Sequence, residues 1–512
     1  MGAPATYENI KTISPAVRFS CRDATLTTDA ILLNGFLEQD IDSVYAVKRP
    51  GLRVLADLTT FGLGLSSFRC QGQIAFGNAF EASTLSIMGD TVVQAHYGTT
   101  VTASVYPIPL AGATPGQQYR MLKLLEGLVT KAILQASDAI YTVWADGSYF
   151  TKIASPSAYP LLPSLCCLDS TYYVLDTSGT IWASSILNPA VWPALNFVVS
   201  PQIGGYPVTL VRHLNYLLAM GTQGITAYYD AAISPGAPIA QVMNAVFSGG
   251  ITHFGAATVQ EIDDTLYWLG TSTASGFIVC QMSGLTISKV STPAVERVLE
   301  EYFVQADGDS FNLSLVTRPA APRAFAVRVA GHSFYVLTSP TYTDVLGNVH
   351  AGITLVLDLT IGEWYQWSQF SGGLERELQP FSSSTTGSAM PMMLTDSTTG
   401  VLYTLATDCY QDNLQPIRFA LQTDLYSWGN ARMKLFAATY VQADTLPSSL
   451  TVSWTDNDYQ SFSTPTVVST SRTKKQLIRC GSSVQRAWRV EHSDNTRMRL
   501  YGLEVEVMPG AL

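Results

Sequence analysis

One short pattern recurs along the chain: an apolar run, a turn rich in Gly, Ser, Thr or Asp, and a second apolar run. Residues 265–287, TLYWLGTSTASGFIVCQMSGLTI, show it clearly. The pattern predicts an antiparallel β-hairpin, because apolar strands bounded by turn-forming residues pair with their neighbours in sequence. Similar hairpins begin near residues 85, 140, 172, 216, 266, 334 and 401.

The spacing of these hairpins indicates how they are assembled. It is irregular but scatters around the period of about 40 to 50 residues that is typical of propeller blades. A small sheet cannot bury both of its faces alone, whereas several sheets around an axis bury each other. We therefore predict an all-β fold with a β-propeller-like body of about six or seven irregular blades.

The character of the strands changes from about residue 415. Longer alternating strands follow, such as RMKLFAATYV and MRLYGLEVEV, which are typical of sheets with one solvated face. We divide the chain into a propeller body with insertions at 1–414 and a C-terminal β-rich region at 415–512. The second region is either a small β-sandwich or the closing sheet of the propeller.

Two segments predict short helical insertions. Residues 116–136, GQQYRMLKLLEGLVTKAILQA, place their apolar side chains on one broad stripe at helical spacing. The segment TPAVERVLEEYF offers Thr292 as an N-cap and Pro293 at the first helical position, where a missing N–H costs nothing. We expect the second helix to be short.

The composition constrains the partners of the chain. Hydrophobic residues make up 47% and charged residues 13%, with 25 Tyr, 20 Phe and 9 Trp, so much of the exterior is aromatic or covered by another subunit. The net charge of −10 argues against a protein that mainly holds nucleic acid, which needs a basic field. An acidic wall is still compatible with brief passage of DNA.

Little in the sequence points to chemistry. The seven cysteines have neither metal-ligand nor disulfide spacing, so we expect free thiols and a reducing compartment. No catalytic, cofactor or metal site is predicted, although a triad assembled from the six distant histidines stays open. The segment TDNDYQSF (455–462) resembles the Asp-box hairpin of sialidase propellers, with Asp458 in place of its glycine, and predicts a structural turn. Asp263 and Asp264 are also predicted turn residues.

A basic cluster stands out near the C-terminus of this acidic chain. It could face DNA phosphates or an acidic partner, or it could be a solvated strand face balanced by Glu491 and Asp494. Its members are Arg472, Lys474, Lys475, Arg479, Arg486, Arg489, Arg497 and Arg499.

One stretch of the chain resembles a known family. The order of features in LVRHLNYLLAMGTQGITAYYD, ISPGAPIAQVMNAVFSGGITHFGAATVQEIDDTLYWLG and GLTISKVSTPAVERVLEEY is similar to that of the tail hub, or nozzle, proteins of short-tailed bacteriophages, also called packaged-DNA stabilisation proteins. The helix start is carried by Ile287, Ser288, Glu296 and Leu299. VYAVKRPGL (44–52) resembles the family's arginine-proline-glycine turn, and RLYGLEVEV resembles its end.

The resemblance implies a structural virion protein without catalytic activity or cofactor. Six copies would form a ring below the portal and its adaptor, assembled in the cytoplasm of the bacterial host and located in the virion tail. The ring would extend the channel for double-stranded DNA, retain packaged DNA, conduct it at ejection, and carry tail fibres or tailspikes and a plug or needle. Large obligate interfaces between copies suit the aromatic, weakly charged surface.

A carbohydrate-active or glycan-binding propeller, either a glycosidase or an adhesin, is the alternative, since a propeller fold does not fix function. A pocket with two carboxylates beside Arg or Tyr side chains would favour the enzyme.

Overall fold

The chain folds almost entirely into antiparallel sheets. The computed structural model describes residues 10–22, 28–40, 43–61, 70–77, 82–88, 91–97, 101–106, 119–126, 129–144, 150–200, 205–233, 236–272, 276–303, 321–343, 349–371, 374–384, 393–396 and 399–509. Within these residues, six small sheets and four strands of a nine-stranded sheet follow one another along the chain, and a seven-stranded sheet packs beside them. The all-β prediction is confirmed.

These groups of strands are here called blades 1 to 7. Each has four strands except blade 5, which has five, and blade 6 is the part of the nine-stranded sheet that lies in this series. Blade 1 consists of Cys70–Gly77, Ala82–Met88, Thr91–Tyr97 and Val101–Tyr106. Blade 2 consists of Arg120–Glu126, Val129–Gln135, Ala139–Trp144 and Phe150–Ala154. Blade 3 consists of Cys166–Leu168, Thr171–Leu175, Thr180–Ala183 and Phe197–Val199. Blade 4 consists of Pro207–His213, Tyr216–Gly221, Gly224–Asp230 and Ile239–Ser248. Blade 5 consists of Gly250–Ile251, Gln260–Ile262, Thr265–Ser272, Gly276–Ser283 and Thr286–Lys289. Blade 6 consists of Arg323–Val329, His332–Ser339, Ile353–Asp358 and Glu363–Trp367. Blade 7 consists of Pro380–Ser384, Met393–Asp396, Val401–Ala406 and Gly51–Asp57.

The blades close into a ring, so the body is a seven-bladed propeller. The first strand of blade 7 lies beside the first strands of both blade 6 and blade 1. The outer strand of blade 7, Gly51–Asp57, comes from before blade 1 and pairs antiparallel with Val401–Ala406. Each of the seven hairpins predicted from the sequence lies in a different blade.

Apolar side chains fill the spaces between neighbouring blades. Separate buried clusters lie between blades 1 and 2, 2 and 3, 3 and 4, 4 and 5, 5 and 6, and 7 and 1. Cys166 faces blade 4 and Cys167 faces blade 2, on opposite faces of one strand as predicted. All seven cysteines are free thiols.

The predicted helix at 116–136 is wrong. Its described part forms the first two strands of blade 2, with Met121 opposite Leu134 and Leu122 opposite Ile133; residues 116–118 and 127–128 lie outside the described residues. Leu134 packs towards blade 1 and Ile133 towards blade 3. Because both faces of the sheet are buried, apolar residues occupy consecutive positions and imitate a helical stripe.

The second predicted helix is confirmed. It spans Pro293–Tyr302, and the Thr292 hydroxyl accepts a hydrogen bond from the Val295 N–H at 3.4 Å. Val298 and Leu299 are buried between blades 5 and 6. Short 3-10 helices occur at Leu58–Phe61 and Gly255–Thr258.

The two larger sheets form a β-sandwich that draws strands from both ends of the chain. One sheet has seven strands: Ile10–Ile13, Gly35–Gln39, Val44–Lys48, Lys434–Ala443, Gln476–Ile478, Ser482–Ser483 and Arg499–Pro509. The other joins Ile31–Leu33, Phe419–Gln422, Ala487–His492, Ser449–Thr455 and Thr466–Ser469 to blade 6. Both sheets contain strands from either side of the predicted division at residue 414, and that division stays a prediction.

Three two-stranded hairpins complete the described strands. They are Tyr342–Thr343 with Val349–His350, Gln369–Ser371 with Leu374–Arg376, and Gln411–Asp412 with Gln415–Pro416.

A buried arginine joins the propeller to the sandwich. Arg49 makes a two-pronged ion pair with Asp412, with Nη1 3.0 Å from Oδ1 and Nη2 in contact with Oδ2. Nε donates to Asn34 Oδ1 at 3.0 Å and Nη2 donates to the Ser368 carbonyl at 2.7 Å. Asp412 also accepts from the Leu52 N–H at 2.9 Å. One side chain therefore contacts the sandwich, blade 6 and the strand that closes blade 7.

The glycine of the arginine-proline-glycine turn allows a close backbone approach. A Cβ added at Gly51 would lie 2.1 Å from the Gln411 carbonyl oxygen. This distance is far shorter than a van der Waals contact, so any other residue at this position would push the two backbone segments apart. Gly51 thus brings the closing strand close enough for Arg49 to reach Asp412.

Lys48, beside Arg49, is fully buried in the same joint. Its Nζ donates to the Asp494 carbonyl at 2.8 Å. Burial, with the nearby charge of Arg49, lowers the pKa of Lys48 to about 7. A lysine held this way favours the neutral amine in the folded protein.

We expect Asp412→Asn to lower the free energy of unfolding by about 3–5 kcal/mol, because it leaves the Arg49 guanidinium buried without a counter-charge. Urea denaturation followed by tryptophan fluorescence measures the change. The matched control is Asp408→Asn, which removes the partner of exposed Arg53, 2.7 Å away, and should leave stability nearly unchanged. Equal losses in the two variants would contradict a special role for Arg49.

Lys48→Met should change how stability depends on pH. The unfolded lysine titrates near 10.5 and the folded one near 7, so the unfolded state binds more protons between these values and wild-type stability gains from rising pH. The gain from this group approaches about 1.4 kcal/mol per pH unit and is absent below pH 7. Denaturation of both proteins at pH 7, 8 and 9 should show wild type gaining on Lys48→Met. A constant difference would contradict the prediction. The buried Tyr and Cys side chains also titrate at high pH, but they are present in both proteins and change the stability of both by the same amount.

Candidate interaction surfaces

Half of the predicted basic cluster is held within the sandwich, and two of these four residues, Lys475 and Arg486, are buried. Arg486 is 1% exposed; its guanidinium makes a two-pronged pair with Asp456 at 2.7 and 2.8 Å and lies over the Phe436 ring. Arg489 donates to Gln422 Oε1 at 2.6 and 2.8 Å, and burial lowers its pKa. These two arginines therefore stabilise the sandwich and face no external partner.

Two further members are held inside or along the sandwich. Lys475 is buried, with Nζ 3.3 Å from Thr445 Oγ1. Arg499 is half-buried and lies 3.9 Å from Glu38. Neither offers a free positive charge to a phosphate.

The remaining four members are exposed on loops. Arg472 and Lys474 lie on the loop before the strand Gln476–Ile478, and Arg497 lies on the loop before the strand Arg499–Pro509. Backbone hydrogen bonds attach both loops to residues 444–448, at one edge of the sandwich. Arg479 lies at the other end of its strand, where its N–H donates to the Ala437 carbonyl. The structure thus reduces the cluster to three neighbouring exposed cations and one separate cation.

A second surface is apolar and lies on blade 3. Residues 177–211 contain no Asp, Glu, Lys or Arg. The loop before the outer strand and that strand itself expose six large apolar side chains, here called the blade-3 apolar face. They are Ile186 (67% exposed), Leu187 (76%), Val191 (47%), Leu195 (75%), Phe197 (40%) and Val199 (56%). A group of this size without charge is typical of a surface that another protein covers.

Blade 4 continues the apolar character at the same end of the propeller. In an antiparallel blade, the first turn and the last loop lie at one end. In blade 4 these positions expose Leu214 and Ile233, and in blade 3 they carry Ile186, Leu187 and Leu195. The exposed apolar side chains therefore extend over two neighbouring blades, with Asp169 and Arg212 exposed at the same end.

The propeller axis is crossed by a side chain. Arg120 begins the first strand of blade 2, and its Nη2 donates to the Ala256 carbonyl of blade 5 at 2.9 Å. Blades 2 and 5 lie across the ring from each other. One side chain and one hydrogen bond therefore span the axial opening. Duplex DNA cannot pass through it, because the major groove of the duplex alone is about 12 Å wide.

A Ser–His–Asp group occurs in the sandwich but lacks the geometry of a triad. Ser448 Oγ lies 2.9 Å from His492 Nε2 and donates to Asp494 Oδ2 at 2.6 Å. In a triad the carboxylate orients the histidine, whereas here it binds the serine, and His492 Nδ1 is buried without a partner among the described residues. Burial lowers the pKa of His492 to about 4, which suits a structural histidine.

The other residues considered for chemistry are structural. Asp263 and Asp264 form a turn with φ of 48° and 59°, as predicted. Asp458 lies in a turn with φ of 56° and pairs with Arg22 at 3.0 Å. Two cavities are bounded by described residues. The cavity of about 170 Å³ has no carboxylate in its lining, and the cavity of about 220 Å³ has one, that of Glu363. Neither holds the carboxylate pair that a glycosidase needs.

Within the described parts of the chain, no three or more His, Cys, Asp or Glu side chains are grouped as metal ligands. The helices there lack the length and apolar character needed to span a bilayer.

Comparison with known proteins identifies the propeller. Residues 90–313 match the family model described as Bacteriophage P22 Gp10, beta-propeller. The resemblance to phage packaged-DNA stabilisation proteins is confirmed. The match runs from blade 1 through blade 5 to the helix Pro293–Tyr302 and beyond, and the family is one of phage structural proteins, which supports a virion component.

No curated protein sequence matches the chain. Among solved structures, one titled "Crystal Structure of Mitotic Checkpoint Complex" aligns with a TM-score of 0.40 and 7% identity, over 72% of this chain and 98% of that chain. At this TM-score the likeness carries no argument.

Proposed function

We propose that this protein is a structural component of the tail of a short-tailed phage, in which six copies form a nozzle ring below the portal and adaptor. The ring retains packaged DNA, conducts it at ejection, and anchors fibres or spikes and a plug. The observation that carries the proposal is the family match across blades 1 to 5. The protein does this without catalysing a reaction.

The crossed axis supports a channel between copies. Because Arg120 reaches from blade 2 to blade 5, DNA has no route through the propeller itself. A conduit must then be enclosed by several copies arranged around a common axis. Such a ring is closed by head-to-tail contacts, in which two different surfaces of each copy meet.

The blade-3 apolar face supplies one of these surfaces. Its lack of charge lets it be buried without the cost of desolvating an ion. Obligate interfaces typically bury about 2,000–5,000 Å² and are rich in apolar residues. The blade-3 apolar face, together with Leu214 and Ile233 of blade 4, has this character.

We expect Leu187→Lys with Leu195→Lys to reduce the ring fraction at least about tenfold, since two buried unpaired charges would cost several kcal/mol per interface. Mass photometry of the purified protein, with electron microscopy of the wild type, measures assembly. The matched control is Leu414→Lys, which charges an equally exposed leucine (84% exposed) on another part of the chain and should leave rings intact. Unchanged assembly of the double variant would remove blade 3 from the interface.

The three neighbouring exposed cations are proposed to contact DNA or an acidic tail partner. A phage lacking this protein, complemented with Arg472→Gln, Lys474→Gln and Arg497→Gln together, should make particles that lose DNA faster than wild type in low salt. The difference should shrink as salt rises, because salt also weakens the charge contacts that wild type makes to phosphates or carboxylates. Quantitative PCR of nuclease-protected DNA measures retention. Complementation with Arg479→Gln is the control. If phage without any copy of the protein keep their DNA and infect normally, the proposed function itself fails.

A further inference from the structure

The three buried arginines of the described residues each have a carboxylate nearby, and Arg120, which is partly accessible at the propeller axis, does not. Arg49 pairs with Asp412 and Arg486 with Asp456. Arg323, on the first strand of blade 6, is 1% exposed and lies within the electrostatic reach of Glu377 and Asp396. Each of these guanidinium groups has a carboxylate to balance its charge.

Arg120 has no such carboxylate among the described residues. Its hydrogen bond is to the Ala256 carbonyl, at 2.9 Å, and the ionisable neighbour that influences it is the Cys166 thiol. That thiol is itself buried, and burial raises its pKa far above the usual range, so it is neutral. Arginine cannot shed its own proton in a protein. The positive charge of Arg120 therefore stays in the propeller without a counter-charge from the described chain.

The position of Arg120 shows where a counter-charge would sit. The side chain extends from blade 2 across the axis to blade 5, and it is partly accessible. Burial lowers its pKa, which indicates that water does not fully solvate the group. The other N–H groups of the guanidinium make no hydrogen bond to the described residues. These donors form a planar fork that matches two oxygens of one anion.

We propose that the axial opening of the propeller is an anion-binding site in which Arg120 holds a small two-oxygen anion, either inorganic phosphate or a carboxylate. The narrow axis excludes a nucleic-acid duplex and admits a small ion or the tip of one acidic side chain. Binding replaces the missing counter-charge and ties blades 2 and 5 together through the same guanidinium. The site is independent of ring assembly, so it can be tested on whatever oligomer the purified chain forms.

The test is thermal unfolding of the full chain at constant ionic strength, with sodium phosphate or sodium acetate exchanged for sodium fluoride. A bound anion stabilises the folded state in proportion to the logarithm of its concentration above Kd. Wild type should show a Tm that rises with phosphate, acetate or both. Arg120→Gln should lose this dependence, with a Tm equal to or above that of wild type in fluoride and below it in the binding anion. Arg479→Gln, which removes an exposed arginine that lies apart from the other exposed cations, should behave as wild type.

The outcomes separate the two sources of the anion. A response to acetate alone assigns the site to a carboxylate, a response to phosphate alone assigns it to free phosphate, and either supports the proposal. The proposal is overturned if wild type and Arg120→Gln differ by the same Tm in every salt, since Arg120 then only links blades 2 and 5. It is also overturned if Arg479→Gln loses the response equally. Should Arg120→Gln fail to fold, calorimetric titration of wild type and Arg120→Lys with phosphate and acetate decides the matter. Absence of heat for both anions at millimolar concentration overturns the site.

Discussion

The structure depends on closing a ring of sheets whose last strand comes from the far end of the sequence. The strand Gly51–Asp57 completes blade 7 by pairing with Val401–Ala406, and without it one edge and one gap between blades would be open to water. Arg49 fixes that strand at its start, where the ion pair with Asp412 is buried and supplemented by bonds to Asn34 and Ser368. A buried pair of this kind adds little net stability but specifies which segments must meet.

The sandwich and the propeller share this joint and do not behave as separate modules. Blade 6 continues into the sandwich through the parallel pairing of Leu33 with Gln366. The largest apolar cluster includes Phe334 and Val336 of blade 6 together with Phe436 and Trp488 of the sandwich. Burial across the joint therefore couples the position of the sandwich to the closure of the ring.

Local patterns predicted the repeated parts of the fold and failed where pairing was distant. The hairpins and the helix capped by Thr292 were predicted because their turns and caps are encoded within a few residues. The helix at 116–136 was wrong because Ile133 and Leu134 are both buried, on opposite faces of one strand. The strands Ile10–Ile13 and Ile31–Leu33 were not predicted as part of the sandwich, since their partners lie more than 300 residues away and leave no local signal. The basic cluster also looked uniform in the sequence. Only in the folded chain does Asp456 pair with Arg486 and Gln422 accept hydrogen bonds from Arg489. The uncharged run at 177–211 was visible in the sequence, but its exposure was not.

The late pairing of the closing strand also governs how the chain matures on the ribosome. Residues 51–57 leave the exit tunnel long before their partner at 401–406, which is synthesised about 350 residues later. At about 5–20 residues per second, the early strand waits roughly 20–70 seconds. During that interval the nascent blades form an open series with one unpaired edge, and an exposed strand edge of this kind favours pairing with the wrong partner.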